Sequence, residues 1–96
     1  MTEFTLREIA ELLGLESGFL DELAREEIVV PDVPGARYSE RMLERARVAH
    51  ELVHTLEVNL PGAAVIVRLR EEVAGLRTRV RVLALELERD RSTRGG

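Results

Sequence analysis

Between Ile66 and Leu87 the apolar residues keep a strict period of seven: Ile66, Val73, Val80 and Leu87 share one heptad position (a), and Leu69, Leu76 and Leu83 share another (d). On an α-helix these positions fall along one narrow seam, which is the pattern of a coiled coil. A long helix is therefore predicted from Pro61 to about Asp90, roughly 45 Å in length at 1.5 Å per residue. Glu72 with Arg77, and Glu86 with Arg91, stand at g and the following e, where opposite charges could pair across two parallel strands. Pairing with a second copy is the favoured reading. Packing of the helix on its own domain is the competing one, strand direction stays open, and Arg79 to Leu87 alternates enough to imitate a strand.

Length supports self-association. A chain of 96 residues buries only about 60–65% of its unfolded surface, so a single small domain gains from covering its apolar seam with a partner. The expected organisation is a head over residues 1–60, a dimerisation helix over 61–90 and a disordered tail over 91–96.

Local signals organise the head. Thr5-Leu6-Arg7-Glu8 has the spacing of a capping box, and Leu6, Ile9, Leu12 and Leu13 follow at helical spacing, so a helix should run from about Thr5 to Leu13. Gly14 stops it, because glycine takes a left-handed backbone without strain. A second helix resumes over Leu15 to Arg25, with Phe19, Leu20 and Leu23 on one side, and the pair reads as a helix-turn-helix. Ile28-Val29-Val30-Pro31 should be extended, and with the turn Asp32-Val33-Pro34-Gly35 it makes a small wing or hairpin. Ser39 should cap a helix over Glu40 to Leu56 whose apolar positions are Met42, Ala46, Ala49, Val53 and Leu56.

The formal charge of −4 is unevenly spread. Residues 1–30 carry eight carboxylates against Arg7 and Arg25, a local charge of −6, whereas residues 31–96 carry ten against twelve arginines, or +2. An acidic face repels nucleic acid and attracts a basic partner.

The absence of cysteine excludes a disulfide scaffold, a thiol nucleophile and a thiolate metal site. With no signal peptide and no long apolar run, the cytoplasm is the expected location. His50-Glu51-Leu52-Val53-His54 matches H-E-x-x-H, in which two histidines one turn apart hold zinc and the glutamate activates its water. No histidine follows His54, and only Glu71 or Glu72 could serve as a third donor. The favoured reading is a chance match, in which Leu52 and Val53 face the core and the histidines flank them. Neither a phosphate loop nor a nucleophile elbow is present, so a non-enzyme without metal or cofactor is expected.

The order helix-turn-helix, wing, helix and terminal coiled-coil helix resembles the MerR family of transcription regulators over residues 4 to about 90, with Thr5-Leu6-Arg7-Glu8-Ile9-Ala10 and Arg37-Tyr38-Ser39 matching its pattern. The resemblance implies a mainly α, MerR-like winged helix-turn-helix with a small wing and a long C-terminal coiled-coil helix. MerR-type DNA readers carry an Arg-Tyr-Tyr-like stretch on the second helix. Aligned on Gly14-Leu15, those places hold Asp21, Glu22 and Leu23, and Gly18 stands where another basic residue is usual. Specific duplex binding draws heavily on positive charge, so this helix is a poor reader of DNA.

The chain also resembles the CbpM chaperone modulators, small MerR-like proteins that bind the J domain of the DnaJ-like co-chaperone CbpA. Phe4-Thr5-Leu6, Ile28-Val29-Val30-Pro31, and His54-x-Leu56 followed by Leu60-Pro61-Gly62-x-Ala64-Val65 carry that resemblance. Asn59 and Leu60 stand where the family commonly has Asp and Trp. It implies an adaptor that occupies the J-domain surface used to engage the DnaK-type chaperone. Glu16, Phe19, Asp21, Glu22 and Glu26 are the expected docking residues, and Ile66, Leu69, Val73, Leu76, Val80, Leu83 and Leu87 the dimerisation seam. The alternative is a MerR-like DNA-binding regulator whose contacts have moved to the wing and to Arg41, Arg45 and Arg47.

Overall fold

Thr5 caps the first helix as the sequence predicts. In the computed structural model, which describes residues 2–95, its hydroxyl accepts from the Glu8 amide at 3.1 Å while Glu8 accepts from the Thr5 amide at 2.9 Å, closing the capping box. Helix α1 (Leu6–Leu13) follows and ends at Gly14, whose φ of 66° is left-handed. Helix α2 (Ser17–Arg25) comes next, with Leu20 and Leu23 buried. It starts two residues later than the sequence suggests, with Glu16 as an N-cap that makes no side-chain bond to the helix.

The wing differs from expectation in its pairing. Strand β1 (Glu3–Phe4) pairs antiparallel with β2 (Tyr38–Ser39), Glu3 opposite Ser39 and Phe4 opposite Tyr38. Ile28 to Val30 forms no strand. The amides of Ile28 and Val29 both donate to Leu23 O, at 2.9 and 3.3 Å, so this segment finishes α2 and drops its side chains into the core. Only Val33 and Arg37 bridge across the Pro34-Gly35-Ala36 turn.

Helix α3 (Glu40–His54) begins after Ser39, whose hydroxyl does not cap it. Both the Ser39 hydroxyl and its amide donate instead to the Asp32 carboxylate, tying the wing to the start of α3. The helix stops two residues before Leu56, which is exposed. Helix α4 (Leu60–Gly95) then runs back along α3. Asn59 caps it by accepting from the Gly62 amide at 2.7 Å. A Cβ on Gly62 would lie 3.0 Å from Asn59 Oδ1 and 3.1 Å from Val58 Cγ1, so a larger residue there would crowd the cap.

The head core gathers Phe4, Ile9, Leu20, Leu23, Ile28, Val29, Tyr38 and Met42, and extends through Ala46 and Ala49 to Ala64 and Val67. The first turns of α4 thus belong to the head, beyond a boundary at residue 60. Past Glu71 every described residue of α4 is exposed, and the molecule measures 61 × 32 × 19 Å. Arg79 to Leu87 is helical, so its alternation places Val82 and Leu85 away from the seam, exposed. The predicted tail is also corrected: α4 continues through Gly95, supported by the Thr93 hydroxyl donating to Arg89 O and by the Asp90–Arg94 pair one turn apart. Gly96 lies outside the described residues.

Candidate docking face on the second helix

Helix α2 turns Leu20 and Leu23 inward, which fixes where its other side chains go. Asp21, Glu22 and the cap residue Glu16 are exposed, while Phe19 and Glu26 are half-buried. Helical spacing puts Phe19, Glu22 and Glu26 on one flank at i, i+3 and i+7. Asp21 stands further round, beyond Arg25, and Glu16 lies at the helix start. The structure therefore brings three of the five predicted docking residues into one stripe and leaves Asp21 and Glu16 beside it. None of the four carboxylates forms an ion pair among the described residues.

Phe19 joins this stripe to α3. Its ring meets His50 and His54 edge-on, with centroids 5.5 and 5.0 Å apart. The two imidazoles lie 4.3 Å from each other, and His54 Nδ1 is 3.2 Å from His50 O. Leu52 packs against the core, Val53 is half-buried outside it, and the two H-E-x-x-H histidines lie beside the Phe19 ring. Glu51 stands 3.5 Å from Arg47, and Glu71 is held elsewhere by arginines. Among the described residues no three His, Cys, Asp or Glu side chains are grouped as a metal site. The Phe19 contact has no sequence signal beyond the helical periods of α2 and α3.

The arginines of the wing and α3 lie against carboxylates of the chain. Arg37 lies 3.2 Å from Glu3 and 3.8 Å from Glu8. Arg41 donates to both oxygens of Glu71, at 3.1 and 2.9 Å. Arg45 grips the same carboxylate at 2.9 and 2.6 Å and also donates to Ile28 O at 3.2 Å. Arg47 pairs with Glu44 and Glu51. Two guanidinium forks on one carboxylate pull the Glu71 pKa down to about 2, the Arg45 hydrogen bonds contributing most and partial burial opposing them. The hydroxyl of Ser39 likewise lowers the Asp32 pKa.

Within Leu60-Pro61-Gly62-x-Ala64-Val65 the small residues are placed by packing, whereas Val65 is exposed. Gly62 makes room for the Asn59 cap, and Ala63 and Ala64 are buried where α4 begins its run beside α3. No described helix is long and apolar enough to cross a membrane.

A family model described as MerR HTH family regulatory protein matches residues 4–84. No curated protein and no solved structure matches the chain.

Proposed function

Since the chain belongs to the MerR HTH family of regulatory proteins, we propose that its regulatory target is a protein: it binds the J domain of a DnaJ/CbpA-like co-chaperone and inhibits that domain's engagement of the DnaK-type chaperone. The observation that carries this reading is the unpaired acidic stripe on α2, in the position where a DNA-reading member presents cations. J domains offer a basic helix to their chaperone, and Glu22 and Glu26 beside the half-buried ring of Phe19 are its complement in charge and polarity. Charges of this kind chiefly set association rate and salt dependence, while a central aromatic supplies buried area. The resemblance to CbpM modulators points the same way.

The alternative, a DNA-binding regulator using the wing and α3, is weakened by the engagement of Arg37, Arg41, Arg45 and Arg47. Each phosphate contact they made would compete with a carboxylate already in place. On this reading the chain is also a cytoplasmic homodimer joined through α4, with no enzymatic role.

Two titrations separate the classes. Purified full-length protein is mixed with an isolated J domain, and separately with pooled genomic DNA in a gel shift at two salt concentrations. Saturable J-domain binding, weakened by salt, with no DNA shift supports the proposal. A salt-steep DNA shift without J-domain binding overturns it.

A further inference from the structure

His50 and His54 stand one turn apart on α3, His50 half-buried and His54 exposed, and they are the only two histidines of a chain without cysteine. We propose that this pair binds a divalent transition-metal ion of the zinc and copper(II) class, through one nitrogen of each imidazole, with water completing the coordination.

The spacing of the rings fits such an ion. A metal lies about 2.0–2.1 Å from a ligating imidazole nitrogen and the ring centre about 1.1 Å further on, so two imidazoles sharing an ion at about 90–110° have centroids about 4.5–5.2 Å apart. The His50 and His54 centroids are 4.3 Å apart, with the ring planes tilted by 33°. A spread of about 1 Å at most, obtained by small side-chain rotations, brings both rings to the chelating distance.

The hydrogen bonding leaves the required lone pair free. His54 Nδ1 lies 3.2 Å from His50 O. A carbonyl only accepts, so Nδ1 carries the hydrogen and donates it, and the lone pair of the neutral ring is on Nε2. Metal-ligating histidines have this arrangement, one nitrogen tied to a backbone carbonyl and the other open to the ion. The Phe19 ring also meets both imidazoles edge-on, at 5.5 and 5.0 Å. Rings held in this way lose less rotamer freedom when an ion gathers them than two free surface histidines do.

Two nitrogen donors select zinc, nickel or copper(II) over magnesium and calcium, which take oxygen ligands. Among the described residues no third His, Cys, Asp or Glu joins the pair, and Glu51, the glutamate of H-E-x-x-H, stands 3.5 Å from Arg47. The site is therefore one for binding an ion and not for hydrolysis.

Occupancy has a consequence for the docking face. Phe19 touches both histidines and shares its flank of α2 with Glu22 and Glu26, so a bound dication weakens the negative field that a basic partner meets. This consequence, unlike the site itself, rests on the J-domain reading of α2: metal weakens docking, and docking weakens metal binding by the same factor.

Untagged full-length protein, titrated by calorimetry with zinc chloride and copper(II) chloride, should take up one ion per chain, copper more tightly than zinc, and magnesium chloride should give no binding. His50→Gln and His54→Gln should each weaken binding about tenfold or more, because a lone imidazole does not chelate. The spin-resonance spectrum of the copper(II) form should show coupling to two imidazole nitrogens. Zinc should raise the urea midpoint of the parent and not that of His54→Gln, whose replaced side chain is exposed. A parent that binds metal no more tightly than the two variants overturns the proposal.

J-domain affinity is then measured with and without zinc, in the parent and in His54→Gln. Weakening by zinc in the parent alone supports the coupling. Zinc binding that leaves J-domain affinity unchanged overturns the coupling and leaves both the metal site and the docking reading standing. A chain that binds zinc and no J domain overturns the docking reading alone.

Discussion

Arg45 grips Glu71 across the α3–α4 interface through two hydrogen bonds, Nε to Oε2 at 2.9 Å and Nη2 to Oε1 at 2.6 Å, while its third nitrogen donates to Ile28 O at 3.2 Å. One side chain therefore ties three parts of the molecule together: the end of α2, the middle of α3 and the point where α4 leaves the head. The Arg45 side chain is only 11% exposed, so it is costly to leave without its acceptor. Glu71→Gln should destabilise the fold by about 2 kcal/mol, the range for a charge-assisted hydrogen bond lost at a partly buried site. Urea unfolding followed by circular dichroism would measure it, and a midpoint equal to that of the parent would show that the clamp contributes nothing.

Acid should reveal the same clamp. The Glu71 pKa is lowered from 4.5 to about 2 in the folded chain, so between these values the unfolded chain binds the extra proton. Stability from this group is fully present above about pH 4.5 and is lost as pH falls towards 2. Glu44 is lowered too, by its hydrogen bond to Arg47, and contributes to the same slope. Unfolding midpoints at pH 5, 4, 3 and 2 should fall progressively for the parent and less steeply for Glu71→Gln. Parallel curves would mean that Glu71 titrates alike in both states.

Phe19 makes a different kind of link, an aromatic edge against two imidazoles. Phe19→Leu keeps an apolar side chain but loses both ring contacts, and should cost about 1 kcal/mol of stability. If Phe19 is the apolar centre of the docking face, J-domain affinity should drop as well. A variant with reduced stability and undiminished affinity would restrict Phe19 to a packing role.

Short-range features of the fold were legible in the residues. Thr5 and Glu8 close their capping box, Gly14 ends α1, and the seven-residue period from Ile66 to Leu87 runs along a continuous helix. What depends on distant partners was not. The strand partner of Tyr38 is Phe4, thirty-four positions earlier, and nothing in Ile28-Val29-Val30 distinguishes an edge strand from a buried helix exit. The wing and α3 arginines named for the alternative DNA contacts are paired with Glu3, Glu71, Glu44 and Glu51, and an Arg45–Glu71 pair separated by twenty-six residues becomes visible only once α4 folds back on α3. The acidic character of α2 could be read directly, whereas its grouping into a Phe19, Glu22 and Glu26 stripe with Asp21 beyond Arg25 follows from which turn faces the core.

The central claim is that this acidic stripe is what a J domain recognises. Its most direct test is the J-domain dissociation constant of Glu22→Arg/Glu26→Arg against the parent, by calorimetry at low and physiological salt. Glu22 is exposed and Glu26, the C-cap of α2, makes no side-chain contact to a charged partner among the described residues, so the unfolding midpoint should change little. The account predicts binding weakened about tenfold or more, with the salt dependence flattened or reversed. An affinity and a salt dependence equal to the parent's would contradict it.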